Sequence, residues 1–273
     1  MKKIKILTAV LLALLLVTFL ISGCQTILVS KNGETETGET ETRQYAFSEY
    51  KRVDISNAFS YEIKQSDTYS ISITANNNLF DDIKVAQEGQ TLIISMEPPE
   101  VRWAIFNTNL NLKAVITMPQ LNGLDSSGAT HGTVADFSST ENLDFTASGA
   151  SSVELVKISA ADIAFDVSGA SEVTGDIEAE NMVLEVSGAS TVQLKGSADS
   201  IASDGSGASH LKLADLKVGN ANIILSGASD CTLNLDGKLD AELSGASTLE
   251  YIGEPTLGIT DISGTSKLKR KNL

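Results

Sequence analysis

The chain has 273 residues, 35 acidic against 20 basic, and a formal net charge of −15. Without the basic leader described below, which holds Lys2, Lys3 and Lys5, 17 basic residues remain and the charge is −18. That field excludes nucleic acid and anionic lipid as partners of the folded part, and favours divalent cations, cationic polymers or basic protein surfaces. With only two cysteines, Cys24 and Cys231, no disulfide framework is available.

Residues 1–23 read as a secretory signal peptide: three lysines, an apolar run from Ile6 to Ile21, then small residues. The sequence Ile21-Ser22-Gly23-Cys24 is similar to a bacterial lipobox, which implies cleavage before Cys24 and lipidation of its thiol. An uncleaved anchor is the alternative, although the run is slightly short for a span. Either way the rest of the chain is expected outside the cytoplasm, held to a bacterial membrane at the cell surface or in the periplasm. Residues 24–45 read as an acidic flexible linker, because Lys31 to Thr42 contains no apolar side chain to bury.

From 46 to 120 the pattern is β-rich without a clear repeat, and serves as a candidate cap. Tyr69–Thr74 and Thr91–Met96 are strand candidates. Val53-Asp54-Ile55-Ser56-Asn57-Ala58-Phe59-Ser60 reads as a degenerate form of the repeat described next, with Asn57 in place of Gly. Asn is the residue that best tolerates a left-handed backbone after Gly. Trp103 and most Phe and Tyr lie in this part, where they would plug an open end.

Over 121–273 a four-residue word recurs eight times, starting at Ser127, Ser148, Ser168, Ser187, Ser206, Ser226, Ser244 and Ser263. It reads Ser-Gly-Ala-Ser, with Thr130 and Thr265 as the only variants. The steps are 18 to 21 residues, a period that marks a solenoid. Apolar residues alternate on both flanks, as in Ile163, Phe165, Val167 before one word and Val192, Leu194 after the next. Period two means strands with one buried face. Gly is then the corner, Ala is expected to point into the bend, and a polar turn such as Gly175-Asp176 separates a shorter third segment. The fold class expected is all-β: a parallel β-helix with about 19–20 residues per coil, roughly 40 Å long at strand spacing. A meander of hairpins is the alternative. Cys231 falls at an inward position shared with Leu211 and Leu249, so it reads as a small core residue.

Two columns emerge when coils are aligned. Two places before the first Ser stand Asp125, Asp166, Glu185, Asp204, Glu242 and Asp261, interrupted by Thr146 and Ile224, with Asp54 in the degenerate copy. Carboxylates one strand spacing apart repel by about 1 kcal/mol in water. A row of Ca²⁺ ions or a cationic partner would justify such a column; a solvated face kept acidic against lateral association is the plain alternative. The second column is hydroxyl, at the first and fourth places of every word, and reads as structural bonding more than as a binding surface. His131 and His210 share a coil position four coils apart, about 19 Å, which excludes a shared metal. Adjacent carboxylates such as Asp166 and Glu185 could serve as acid and base, but the repeats hold almost none of the aromatic platforms and little of the Arg that a sugar-acid groove needs.

The Val-Asp-Ile-Ser-Asn-Ala-Phe opening, Ile63-Lys64-Gln65-Ser66-Asp67, Asn76-Asn77-Asn78-Leu79 and the Ser-Gly-Ala-Ser series together resemble the putative auto-transporter adhesin head GIN domain family. The resemblance spans roughly Phe47 to Leu268. It implies a secreted or lipid-anchored β-helical protein and supplies no catalytic residues. The functional expectation is a membrane-tethered, non-catalytic binding or adhesion module with a protein or glycan ligand, oligomerisation being open. An envelope structural or assembly protein is the first alternative, and a carbohydrate-active enzyme the second.

Overall fold

The structure, a computed structural model, describes residues 39–97 and 111–272. The leader, Cys24 and Trp103 lie outside the described residues. Among the described residues nineteen strands form one continuous sheet. The first seven are β1 (Thr40–Tyr45), β2 (Arg52–Ile55), β3 (Ser60–Gln65), β4 (Ser70–Asn76), β5 (Ile83–Glu88), β6 (Thr91–Met96) and β7 (Leu112–Met118). The next seven are β8 (Gly123–Ser126), β9 (His131–Ala135), β10 (Leu143–Ala147), β11 (Ser152–Val167), β12 (Glu172–Val186), β13 (Thr191–Gly205) and β14 (His210–Leu225). The series ends with β15 (Asp230–Leu235), β16 (Lys238–Leu243), β17 (Thr248–Ile252), β18 (Thr256–Ile262) and β19 (Lys267–Arg270).

Every pairing within the repeats is parallel and joins one coil to the next, so the chain is a β-solenoid and the hairpin meander is excluded there. Inward residues stack like on like: Leu143, Ile163, Met182, Ile201, Ala221 and Leu239 form one file. Val153, Val173, Val192, Leu211, Cys231 and Leu249 form another, with all six buried. Cys231 thus takes the core place read from the sequence. Phe145 and Phe165 stack between coils with ring centroids 5.3 Å apart. The polar turns are not breaks. β11 to β14 run 15 or 16 residues each, and Gly175-Asp176 and Lys195-Gly196 bend within paired strand.

The repeated word turns the corner between flanks. Its Gly holds a positive φ of 67° to 82° in all eight copies. The N–H of the third residue donates to the Gly carbonyl of the coil before, at 2.7–2.8 Å from Ala150 through Thr265. A Cβ on Gly227 would stand 2.5 Å from the Gly207 oxygen. Glycine is therefore required twice, by conformation and by the stacking distance. The Ala does not point into the bend as expected; it is exposed, and the fourth residue is buried instead in the first seven words. The left-handed Gly rotates the chain by one position, so the hydroxyl, not the methyl, faces inward.

The degenerate word is a true corner. Asn57 has φ 75°, and its carbonyl accepts from Ala129. β2 pairs with β8 and β3 with β9, both parallel, which makes this coil continuous with the repeats. Beneath it β6 pairs with β2 and β7 with β3. Then direction reverses: β5 runs antiparallel on β6, β4 antiparallel on β7, and β1 antiparallel on β4. Residues 40–45, read from composition as linker, are therefore strand. Their Thr-rich alternation supplies ladder bonds without needing a buried face, and composition does not register that. Tyr50, Phe59, Tyr61 and Phe80 fill this end of the core.

Candidate functional site

The acidic column exists as a register. Asp54 faces Asp125, Asp125 faces Thr146, and Asp166, Glu185 and Asp204 follow in direct succession. Ile224 then separates Asp204 from Glu242 and Asp261. Its N-terminal end differs electrically from the rest. Arg52 lies within 3.5 Å of Asp125 and 3.1 Å of Asp144, and Gly123 leaves the space its guanidinium fills. Burial first, and then the Asp125 charge, push the Asp54 carboxyl above its ordinary range. Asp166, Glu185 and Asp204 are exposed and form no ion pair among the described residues. Sequence spacing located the column but not Arg52, whose place opposite Gly123 depends on a pairing between strands about 70 residues apart.

Among the described residues no three His, Cys, Asp or Glu converge to hold a metal ion. A parallel ladder presents its carboxylates in a line, whereas Ca²⁺ needs six to eight oxygens around one point. His131 and His210 are four coils apart along the file Ser152, Glu172, Thr191, as the spacing required. His210 Nδ1 bonds Asp230 Oδ1 in the next coil, an exposed pair with no nucleophile attached.

The hydroxyl column divides by position. First-place serines are half-buried in seven words and exposed at Ser263, whereas Thr130, Ser151, Ser171, Ser190, Ser209, Ser229 and Ser247 are buried. A relay runs from the Tyr61 hydroxyl to Ser126 Oγ (3.1 Å), to Thr130 Oγ1 (2.6 Å), to Ser151 Oγ (3.0 Å), and ends on the Ser148 carbonyl (2.7 Å). Burial holds the Tyr61 phenol above its usual range, with the Ser126 contact opposing. Farther along, Ser209 Oγ donates to Ser229 Oγ (3.1 Å), which donates to the Ser226 carbonyl (2.8 Å). These hydroxyls bond the corners from inside and offer nothing to a ligand.

A third ladder is invisible to the sequence reading. Asn181 donates to Asp162 at 2.9 Å, and Ser200 donates to Asn181 at 2.7 Å. Their 19-residue spacing is present in the chain, but polar residues in a variable turn carry no periodic signal of their own. Surface concavities are shallow. A groove of about 630 Å³ is lined by Gln65, Leu121, Phe137, Ser138, Ser139 and Thr140 among others, and none of its lining residues carries a charge. Another, of about 340 Å³, contains Glu154, Lys157, Asp176, Lys195 and Asp215, with Lys195 already 3.4 Å from Asp176. Neither brings a nucleophile to a base.

The chain is similar to solved structures that share its fold. A putative adhesin from Parabacteroides merdae aligns with TM-score 0.79 and 16% identity, covering 86% of this chain and 98% of that one. A protein from Parabacteroides distasonis described as a putative lipid binding protein aligns with TM-score 0.67 and 18% identity, over 86% and 98%. A putative adhesin from Bacteroides fragilis aligns with TM-score 0.61 and 22% identity, over 85% and 97%. Among curated proteins none matches. Residues 49–255 match the family described as putative auto-transporter adhesin, head GIN domain, and the chain belongs to that family.

Proposed function

We propose that the chain is a membrane-tethered, extracytoplasmic binding or adhesion module without catalytic activity. One observation carries this reading: the outward side chains form straight columns along a stack of parallel coils. A rod of repeats offers one extended surface that can meet a partner at many equivalent points, which suits adhesion better than turnover. The uncompensated stretch Asp166, Glu185, Asp204 is the part of that surface most suited to a cationic partner. Among the described residues no helix is long and apolar enough to cross a membrane. The tether in this reading is the leader with a lipid on Cys24, supported by the Ile21-Ser22-Gly23-Cys24 sequence.

The test uses cells displaying the full chain, their adherence to polylysine-, protein- and glycan-coated surfaces, and a D166N/E185Q/D204N variant. Lost adherence with an unchanged melting temperature supports the reading. Unchanged adherence with a raised melting temperature favours an envelope structural role, in which the carboxylates only keep the face soluble. Labelled palmitate incorporated into the parent chain but not into Cys24→Ala tests the anchor.

A further inference from the structure

The two ends of the solenoid are finished differently. At the N-terminal end direction reverses: β4 and β5 run antiparallel on the last parallel strands, and β1 runs antiparallel on β4. At the other end β18 and β19 form the outermost coil. All seven residues of β18 are exposed, including Leu257 (47%), Ile259 (75%) and Ile262 (45%). Leu257 and Ile262 are in register with Leu239 and Leu243, which are buried in the coil beneath. Among the described residues nothing covers them. The backbone repeats this: the Leu243, Gly245 and Ser247 carbonyls receive Ser263, Thr265 and Lys267 N–H groups. The equivalent Ile262, Gly264 and Ser266 carbonyls have no next coil among the described residues.

Basic residues on the last strand can blunt an open edge by charge. They guard half of it. Arg270 is paired to Glu254, and Lys271 lies 3.4 Å from Glu250. Lys267 and Lys269 on β19, and Asp261 on β18, form no ion pair among the described residues. One open strand thus carries a free carboxylate, and the other carries two free amines.

We propose that this edge docks a second copy of the chain, tail to tail about a two-fold axis through the Ser263–Ser266 corner. β18 of one copy then runs antiparallel to β19 of the other, and the reverse. The register that closes Ile262 over Leu268 keeps inward residues inward and sets Asp261 against Lys269 of the second copy, with Lys267 beside it on the same face. Pairing β19 with itself would oppose lysines, and a head-to-tail stack would meet antiparallel β1, β4 and β5 in place of a matching parallel coil. A two-fold contact closes on itself and so satisfies the edge without producing fibres.

The test is sedimentation velocity on the full-length chain in detergent over a concentration series. The parent chain is expected to dimerise. Asp261→Lys is expected to weaken the dimer roughly tenfold or more, because two symmetry-related contacts are reversed at once. Lys267→Asp with Lys269→Asp is expected to do the same, and the triple swap to restore the dimer. Thr265→Cys, exposed beside the axis, is expected to cross-link copies under mild oxidation where the parent chain does not. A chain monomeric throughout the series overturns the proposal. So does a dimer indifferent to both charge reversals, which would point to the leader, and so does a folded triple swap that stays monomeric.

Discussion

Replacing Gly227 by Ala tests the stacked corner directly. Gly227 sits at φ 71°, a conformation that costs a residue with a Cβ about 1–2 kcal/mol. The added Cβ would lie 2.5 Å from the Gly207 carbonyl oxygen, which itself accepts the Ala228 N–H at 2.7 Å. Relieving the clash means withdrawing that carbonyl and losing its bond, for about another 0.5–1.5 kcal/mol. The sum is about 1.5–3.5 kcal/mol. Gly89 supplies the control, because it has φ 61° with nothing within 4 Å of its would-be Cβ. Gly89→Ala therefore carries the conformational term alone. Urea and thermal unfolding followed by circular dichroism should place Gly227→Ala clearly below Gly89→Ala in stability. Equal losses would mean that coil-to-coil contact at the corner contributes nothing, and the double requirement for glycine would fail. Gly227→Asn should not rescue, since Asn relaxes the conformation but keeps the Cβ. At the first corner Asn57 is accommodated differently: its side-chain oxygen accepts the Met96 N–H of β6 at 2.9 Å.

Three further outcomes are expected. Ser229→Ala should cost about 1–2 kcal/mol by removing a buried hydroxyl bonded on both sides, whereas Ser190→Ala should be neutral or stabilising because the Ser190 hydroxyl is buried without a partner; paired denaturation curves decide this. Asp54→Asn should raise the melting temperature near neutral pH. The raised folded pKa of Asp54 means that its penalty is complete above that value and fades as pH falls to the unfolded one, so the advantage should vanish by about pH 3. Burial, reinforced by Asp230, pushes the Cys231 thiol up to about 12, so alkylation should follow global unfolding and be absent in native buffer at about pH 8; rapid native labelling would contradict the packed file around it.

The sequence by itself determined the solenoid, its period, the inward files and the acidic register. Each follows from repetition, because a parallel stack puts position n of one coil on position n of the next whatever the coil contains. Hence Asp166, Glu185 and Asp204 align as their spacing requires, and Cys231 falls between Leu211 and Leu249. Only the tertiary structure decided what repetition does not encode. The inward turn of the fourth-place hydroxyl comes from one left-handed glycine, a dihedral and not a periodicity. Arg52 reaches Asp125 and Asp144 through a pairing of distant strands, and Thr40–Tyr45 becomes a strand because β4 presents an edge to it. The ends diverge for the same reason: closure on one side and exposure on the other depend on which strands have neighbours, and a repeat cannot state where its own stacking stops.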